Sequence, residues 1–192
     1  MPPPDRSPAE PLLVPLTTAR LQLEPLRVDH ADPLHTGLRD PELYRYETDL
    51  PPAGLDALRA RFALLAAGSG DAEETWLNWV AVTRAAGAAI GYVQATVAVA
   101  RDTATIGYLV LAAYQRHGFG REAVGAMCDH LSARGISRLH AWIDVRNTAS
   151  IALAEGLHFK RVWTGRSEDI IGGVRGFDHH YVRSSCEVQP PV

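Results

Sequence analysis

The sequence predicts one α+β domain with a mixed central sheet of about seven strands, antiparallel in its first half. Three observations carry this prediction. The chain has 192 residues, enough for one sizeable core. Strand-like runs follow one another between residues 75 and 111 with only short turns between them. A helix that begins at a glycine-containing loop then leads to a further strand, as in a parallel crossover.

The first third of the chain predicts one strand and two helices. "ARLQLEPL" (19–26) alternates leucines with polar residues, which is typical of a half-buried strand. "VDHADPLHTGLRDPELYRY" (28–46) has apolar residues at helical spacing, with Asp29 as a candidate N-cap. "LDALRARFALLAAG" (55–68) predicts a second helix that ends at Gly68.

The middle of the chain predicts an antiparallel meander. Its three strands are "TWLNWVAVT" (75–83), "AAIGYVQATVAVA" (88–100) and "TATIGYLVL" (103–111). Gly107 lies inside the third, where a glycine usually marks a bulge.

The last third predicts two helices and three strands. Apolar residues at helical spacing indicate a helix from Phe119 to Arg134, with Gly135 as its C-cap. The elements that follow are a strand "SRLHAWIDV" (137–145), a helix "NTASIALAEG" (147–156) and strands "LHFKRVWTG" (157–165) and "GFDHHYVRS" (176–184).

Composition narrows the possible functions and partners. The formal net charge of −3 argues against nucleic acid as the main ligand, and no apolar run is long enough to cross a membrane. Two cysteines cannot form a disulfide framework, so we expect a reducing cytoplasm. We expect a proline-rich flexible leader over residues 1–15, a domain over 16–185 and a flexible tail over 186–192.

The segment "YQRHGFGREAVG" (114–125) places two glycines where a helix begins. The first turn of a helix exposes unpaired N–H groups and the positive end of the helix dipole, which together suit a phosphate. Glycine allows close approach of the backbone. A turn without a ligand is the simpler interpretation. The segment "GFGREA" (118–123) also fits a dinucleotide fingerprint, with Asp144 near the expected distance, although six residues separate it from its strand.

Two linked motifs resemble those of the GNAT (Gcn5-related) N-acetyltransferases. "QRHGFG" (115–120) matches their acetyl-CoA pyrophosphate loop, Q/R-x-x-G-x-G/A, and "NTASIALAEGLHF" (147–159) is similar to the next family segment. "TTARLQLEPL" (17–26) and "DIIGGVRGFDHHYV" (169–182) resemble segments of the Rim group, which acetylates protein N-termini. The resemblance implies a sheet with a V-shaped splay between its fourth and fifth strands and acetyl-CoA as co-substrate.

The sequence departs from the family pattern at three places. His158 stands where the family usually has glycine, and a histidine can adopt a left-handed conformation there only at some cost. Gly156 replaces a usual lysine, and the loop "RYETDLPP" (45–52) lacks the tryptophan often found in the Rim group. That loop borders the acceptor site in relatives.

The resemblance implies which residues bind acetyl-CoA. The main-chain amides of the strand before the loop would hold the pantetheine arm and polarise the thioester carbonyl, as an oxyanion hole does. The loop and the next helix would hold the diphosphate and the thiol end. The residues concerned are Leu109, Val110, Gln115, Arg116, His117, Gly118, Phe119, Gly120, Arg121, Asn147 and Ser150.

Catalysis requires a base for the ammonium group of the acceptor and a proton donor for the CoA thiolate. Candidate bases are Glu47, Glu168 and Asp169, of which Asp169 matches an acidic position of the Rim group. Ser150 and Tyr108 are candidate donors to the thiolate, and Glu47 and Tyr108 are expected beside the acceptor.

We therefore expect direct attack on acetyl-CoA by a primary amine in a ternary complex, without a metal. A protein N-terminus is the leading acceptor and a small-molecule amine the second. A non-catalytic acyl-CoA-binding protein and a dinucleotide-binding domain remain alternatives, and a homodimer is compatible with the resemblance. The adjacent histidines of "DHH" (178–180) alternate faces on a strand and do not indicate a metal site. Trp76, Trp79, Trp142 and Trp163 are expected in the core, with Trp76 or Trp79 as a candidate floor of the acceptor pocket.

Overall fold

Eight strands and four α-helices make up the part of the chain that the computed structural model describes, residues 11–98, 102–171 and 174–185. The strands are β1 (Leu16–Thr17), β2 (Leu21–Pro25), β3 (Glu74–Thr83), β4 (Ala89–Ala98), β5 (Thr103–Val110), β6 (Arg138–Asp144), β7 (Lys160–Ile171) and β8 (Val174–Ser184). The helices are α1 (Ala31–Leu38), α2 (Leu55–Ala67), α3 (Phe119–Ala133) and α4 (Thr148–Gly156).

All eight strands form one sheet in the order β1-β2-β3-β4-β5-β6-β8-β7. Every neighbouring pair is antiparallel except β5 and β6, which are parallel and are joined through α3. This confirms the predicted mixed sheet. The strand beyond the predicted seven is β1, whose two residues are too few to show an alternating pattern.

Helices cover both faces of the sheet. On one face α3 and α4 pack against the strands, with Val124, Met127 and Leu131 fully buried. On the other, Leu34 of α1 and Phe62 of α2 pack against the strands in a second apolar cluster. Burying such a side chain stabilises the fold by about 1.5–3 kcal/mol. The apolar spacing that predicted these helices is therefore the spacing that fills the two cores.

The predicted helix over residues 28–46 is shorter in the structure. Only α1 is α-helical, and 3-10 turns flank it at Val28–His30 and Pro41–Tyr44. Asp40 accepts a hydrogen bond from the Glu42 amide and so caps the second turn. The candidate N-cap Asp29 is wrong, since its side chain pairs with Arg27 at 3.1 Å instead.

The bulge predicted at Gly107 is also wrong, because β4 and β5 pair in unbroken register through Gly107 and Gln94. The irregularity lies between β3 and β4, opposite Gly91. Gly91 has a φ of 150°, and a Cβ there would lie 2.1 Å from the Leu109 carbonyl oxygen. The close approach of two strands therefore requires a glycine on β4 and not on β5.

The segment before β1 contacts the core. The Trp79 indole donates a hydrogen bond to the Val14 carbonyl at 2.7 Å, and the His130 ring lies 2.7 Å from the Leu12 carbonyl. Leu12 and Leu13 pack against the α3 side of the sheet. Contacts with the domain therefore begin before the expected boundary at residue 16, while most of the expected leader (1–10) and the tail from 186 lie outside the described residues.

Candidate active site

The sheet opens between β5 and β6. The two strands pair only at their first residues, from Thr103 with Arg138 to Thr105 with His140. Beyond this point β5 continues beside β4, and β6 continues beside β8. The predicted V-shaped splay is confirmed, and it leaves one edge of β5 from Ile106 to Val110 without a partner strand.

The amides that face this gap follow from the antiparallel ladder. The Leu111 amide donates to the Ile90 carbonyl on β4. Since successive residues of a strand direct their main-chain groups to opposite sides, the Leu109 amide also points to β4. Those of Tyr108 and Val110 point into the gap. The amides available there are thus those of Tyr108 and Val110, and not the expected pair Leu109 and Val110.

The glycine loop lies at the end of this open edge. Gly118 is the N-cap of α3, with φ of 80° and ψ of 1°, a left-handed conformation that glycine adopts without strain. The first amides of α3, those of Phe119, Gly120 and Arg121, have no helical acceptor. A Cβ on Gly120 would lie 3.2 Å from the Leu153 side chain of α4, so this glycine lets the two helices approach. The loop therefore presents unpaired amides at a positive helix end, which fits a diphosphate.

Internal contacts hold the side chains of the loop. Gln115 donates to the Val110 carbonyl at 2.9 Å, and the His117 ring lies 2.7 Å from the Gln115 carbonyl. Arg121 donates to the Gly156 carbonyl at 2.7 Å. Arg116 is exposed, with a φ of 64°. Gln115 and Arg121 thus brace the loop by their own bonds, and Arg116 remains exposed to solvent beside it.

Arg20, in the turn between β1 and β2, fixes this loop from the outside, which the sequence did not reveal. It donates to the His117 carbonyl at 2.9 Å and pairs with Glu122 at 2.6 Å. Its guanidinium lies 4.6 Å from the centre of the Phe119 ring. Bonds from Arg20 and Thr18 keep the pKa of the Glu122 carboxyl below its ordinary value despite partial burial. The carboxylate charge next to the anion-binding loop is therefore offset.

The first turn of α4 lies on the other side of the gap. Asn147 is its N-cap and accepts a hydrogen bond from the Ser150 amide at 3.1 Å. Both residues line the cleft beside Tyr108. The Tyr108 hydroxyl is buried and has no hydrogen-bond partner among the described residues. Burial raises its pKa to about 12, whereas the Ser150 hydroxyl acts in the opposite direction without meeting the geometry of a full hydrogen bond. The buried phenol therefore remains protonated and available to a ligand.

A cleft of about 350 Å³ continues from the gap toward the loop after α1. Glu47 lies in its wall, and desolvation raises the pKa of its carboxyl to about 7, with the charges of Asp49 and Asp169 adding to the shift. Glu47 as a whole residue is exposed. The desolvation therefore comes from the cleft walls around the carboxyl group. Half ionised near neutral pH, this group suits acid–base work.

Asp169 and Glu168 are both exposed on β7, but only Asp169 lines the cleft. The Asp169 amide donates to the Ser167 hydroxyl at 3.1 Å, which in turn donates to Asp178 at 2.5 Å. The structure thus brings Glu47 and Asp169, which are far apart in sequence, to one cleft.

The tryptophan predictions are partly wrong. Trp79 is fully buried and Trp76 half-buried, and neither lines the cleft. Trp142 and Trp163 are 54% and 45% exposed, because no helix covers that face of β6, β7 and β8 in the described residues. Trp142 lines the cleft and stacks on His180, with ring centres 4.1 Å apart. A pattern of strand residues alone did not indicate which sheet face stays open.

Cys128 is buried in α3, and burial raises the pKa of its thiol to about 12. It is therefore unsuited to act as a nucleophile. Among residues 11–98, 102–171 and 174–185, no cluster of three or more His, Cys, Asp or Glu side chains has the arrangement of a metal site. No helix in the same ranges has the length and apolarity needed to cross a membrane.

Comparison with known proteins identifies the family. Residues 20–160 match the acetyltransferase (GNAT) domain family. A comparison with curated protein sequences finds no match.

Solved structures share the fold at low identity. A GCN5-related N-acetyltransferase from Brucella melitensis superposes with a TM-score of 0.80 at 16% identity, over 94% of this chain and 82% of that one. A ribosomal-protein-S5-alanine acetyltransferase from Vibrio fischeri gives 0.76 at 18%, over 92% and 100%. RimL, a ribosomal L7/L12 α-N-protein acetyltransferase in complex with coenzyme A, gives 0.77 at 19%, over 89% and 98%.

The family match covers the glycine loop, the gap between β5 and β6, and α4. It therefore favours acetyl-CoA over a dinucleotide as the ligand of the glycine loop. Asp144, which that interpretation needed for a ribose, is held by Arg146 through two side-chain bonds of 2.8 and 2.6 Å. The chain belongs to the GNAT family and is an N-acetyltransferase whose acyl donor is acetyl-CoA.

Proposed function

We propose that this enzyme transfers the acetyl group of acetyl-CoA to the N-terminal amine of a protein or peptide, by direct attack in a ternary complex. One observation carries the proposal. The unpaired edge of β5 and the carboxyl of Glu47, with its pKa of about 7, line the same cleft. A thioester and an amine bound there would meet.

On the donor side, the diphosphate binds the amides at the start of α3, and the pantetheine arm lies along β5. The amides of Tyr108 and Val110 are the donors available to the arm and to the thioester carbonyl. Fixed donors of this kind stabilise the negative charge that develops on the carbonyl oxygen during attack. This role needs main-chain geometry and no particular side chain.

On the acceptor side, Glu47 takes a proton from the ammonium group, directly or through a water. The free amine then attacks the thioester carbon, so that a C–N bond forms and the C–S bond breaks. Asp169 is the second candidate for this base, as the sequence suggested. The pKa of Glu47 favours Glu47, because a base near the operating pH is both available and strong enough.

The departing thiolate receives a proton from a hydroxyl beside it, that of Tyr108 or Ser150. The Tyr108 hydroxyl has no hydrogen-bond partner in the described part of the chain, and Ser150 lies close to it. Either hydroxyl can donate a proton to the sulfur as the C–S bond breaks, and it regains one from the nitrogen of the new C–N bond, which loses its second proton as the amide forms. Asn147 fixes the first turn of α4 and so positions Ser150.

The acceptor class is proposed from two features. The Rim-type segments at residues 17–26 and 169–182 contribute β2, β7 and β8, the last two of which border the cleft. The enzymes named for ribosomal-protein substrates share the fold. An open cleft beside an uncovered sheet face also leaves room for a polypeptide behind the reacting amine.

The test is a thiol-release assay with acetyl-CoA against peptides with free N-termini, the same peptides with blocked N-termini, and small amines. We expect thiol release with free N-termini only. Release with small amines but with no peptide would replace the proposed acceptor class. Calorimetry that detects no CoA binding would overturn the donor-site assignment.

A further inference from the structure

The acceptor cleft has an unbalanced charge. Five carboxylates line it, and no Lys, Arg or His side chain does among the described residues. Two of them are neutralised from behind, Asp49 by Arg61 at 2.5 Å and Asp144 by Arg146 at 2.6 Å. The other three, Glu47, Asp169 and Asp178, form no ion pair within the described ranges. The cleft therefore carries negative charge that its own side chains leave uncompensated.

These three carboxylates occupy two places. Glu47 is in the loop after α1, whereas Asp169 and Asp178 lie on β7 and β8, where the Asp169 main-chain amide donates to the Ser167 hydroxyl and that hydroxyl donates to the Asp178 carboxylate. Asp178 is half-buried and pairs across the sheet with Asp144. One carboxylate suffices to receive the ammonium group that reacts. The pair on β7 and β8 is therefore surplus to the chemistry proposed above.

Two further features point to a bound cation. The Trp142 ring is 54% exposed at the edge of the cleft, where an aromatic face attracts a cationic group. Tyr92 is 8% exposed and lines the cleft, and its hydroxyl makes no hydrogen bond within the described part of the chain. That hydroxyl is open to the cleft, so its oxygen can accept a hydrogen bond from a cationic ligand bound there.

We propose, on the basis of the function proposed above, that the preferred acceptor carries a second positive charge close to its reacting amine. Asp169 and Asp178 bind that second charge while Glu47 faces the amine. For a peptide acceptor this means Lys or Arg next to the N-terminal residue. A polyamine has the same chemistry, and the experiment separates the two sources.

The experiment compares two peptides that differ only in their second residue, lysine or its uncharged isostere norleucine, together with spermidine. Both kcat/KM with acetyl-CoA and the Kd of each acceptor for the CoA-bound enzyme are measured. We expect kcat/KM for the lysine peptide to be about five- to tenfold higher and its Kd correspondingly lower, with the difference shrinking as salt rises. Spermidine acetylated in preference to both peptides would support the inference and remove the peptide from the proposed function.

The matched variants are Asp178→Asn at the cleft and Asp56→Asn on α2, where the carboxylate is 98% exposed. Each removes one negative charge, and asparagine at 178 can still accept the Ser167 hydroxyl. Asp178→Asn should abolish most of the preference for lysine, whereas Asp56→Asn should retain it. Equal Kd values for the two peptides with wild-type enzyme would overturn the inference even if both are acetylated. Preserved preference in a folded Asp178→Asn would overturn the residue assignment.

Discussion

The two sides of the cleft are built differently. The donor side consists mainly of backbone: unpaired amides on β5 and at the start of α3, made accessible by Gly118 and by the splay of the sheet. The acceptor side consists of side chains from three separate segments, among them Glu47, Trp142 and Asp169. A backbone site tolerates changes of side chain and is sensitive to glycines. A side-chain site responds to single changes of charge. This difference separates the binding of a constant donor from the choice of a variable acceptor.

Glu47→Gln should have the largest effect on turnover, and it should affect only the acceptor side of the cleft. Removing a general base typically costs about 10²–10⁴-fold, so kcat should fall at least about a hundredfold. The Kd for CoA should not change, because Glu47 lies away from the glycine loop. Stopped assays give kcat and calorimetry gives the Kd. A variant with full kcat at saturating amine would assign the base elsewhere, with Asp169 next.

Gly118→Val should affect the donor side of the cleft, by weakening CoA binding. A branched side chain at a φ of 80° is strained by about 1–3 kcal/mol, so the loop must shift and CoA affinity should fall about tenfold. Gly135→Val is the matched control, because Gly135 has a φ of 89° at the far end of α3. It should lower stability without weakening CoA binding relative to the folded protein. Equal loss of CoA affinity in both variants would contradict a local role for Gly118.

The pH profile sharpens the assignment on the acceptor side. Glu47 must be ionised to act as a base, so kcat should rise with pH through a midpoint near pH 7. The charge of Asp169 contributes to the raised pKa of Glu47. Asp169→Asn should therefore move the midpoint to lower pH. If Asp169 were the base, the same variant would lower turnover at every pH and leave no shifted curve.

The raised pKa of the Glu47 carboxyl also predicts how the stability of the folded protein changes with pH. Because the pKa of Glu47 is higher in the folded protein than its ordinary value of 4.5, the folded state holds the proton more tightly. The contribution of Glu47 to stability should fall as pH rises from about 4.5 to about 7. Denaturant unfolding at several pH values should show a smaller fall for Glu47→Gln than for wild type. An identical pH dependence would contradict the raised pKa.

His158→Gly should have the smallest effect of these variants. It should change stability and neither CoA binding nor turnover of the acceptor. His158 is exposed with a φ of 65° after α4, where glycine avoids a cost of about 1 kcal/mol. The Tm should rise by about 2–4 °C, with kcat and the Kd for CoA unchanged. His158→Ala removes the same ring but keeps Cβ, so it should give no such gain. A similar rise in both variants would show that the ring, and not the backbone, causes the strain.

The donor side was largely predictable from the sequence because its chemistry depends on local backbone conformation. Glycines at a helix start and an N-cap asparagine each act within a few residues, and Gly118 and Asn147 stand at the starts of α3 and α4 as expected. His158, which replaces a usual glycine after α4, has a left-handed conformation. The strand amides were harder to assign. Which of Leu109 and Val110 faces the gap depends on hydrogen-bond register with β4, and that register is not a local property.

By itself, the sequence determined the mixed sheet, the crossover helix and the anion-binding loop, since periodicity and turn residues act over short distances. Only the tertiary structure decided the acceptor side. It left Trp142 exposed on an uncovered sheet face, placed Arg20 against the loop, and brought Glu47 into the field of Asp49 and Asp169. Charge and desolvation depend on distances between segments remote in sequence, and folding alone sets those distances.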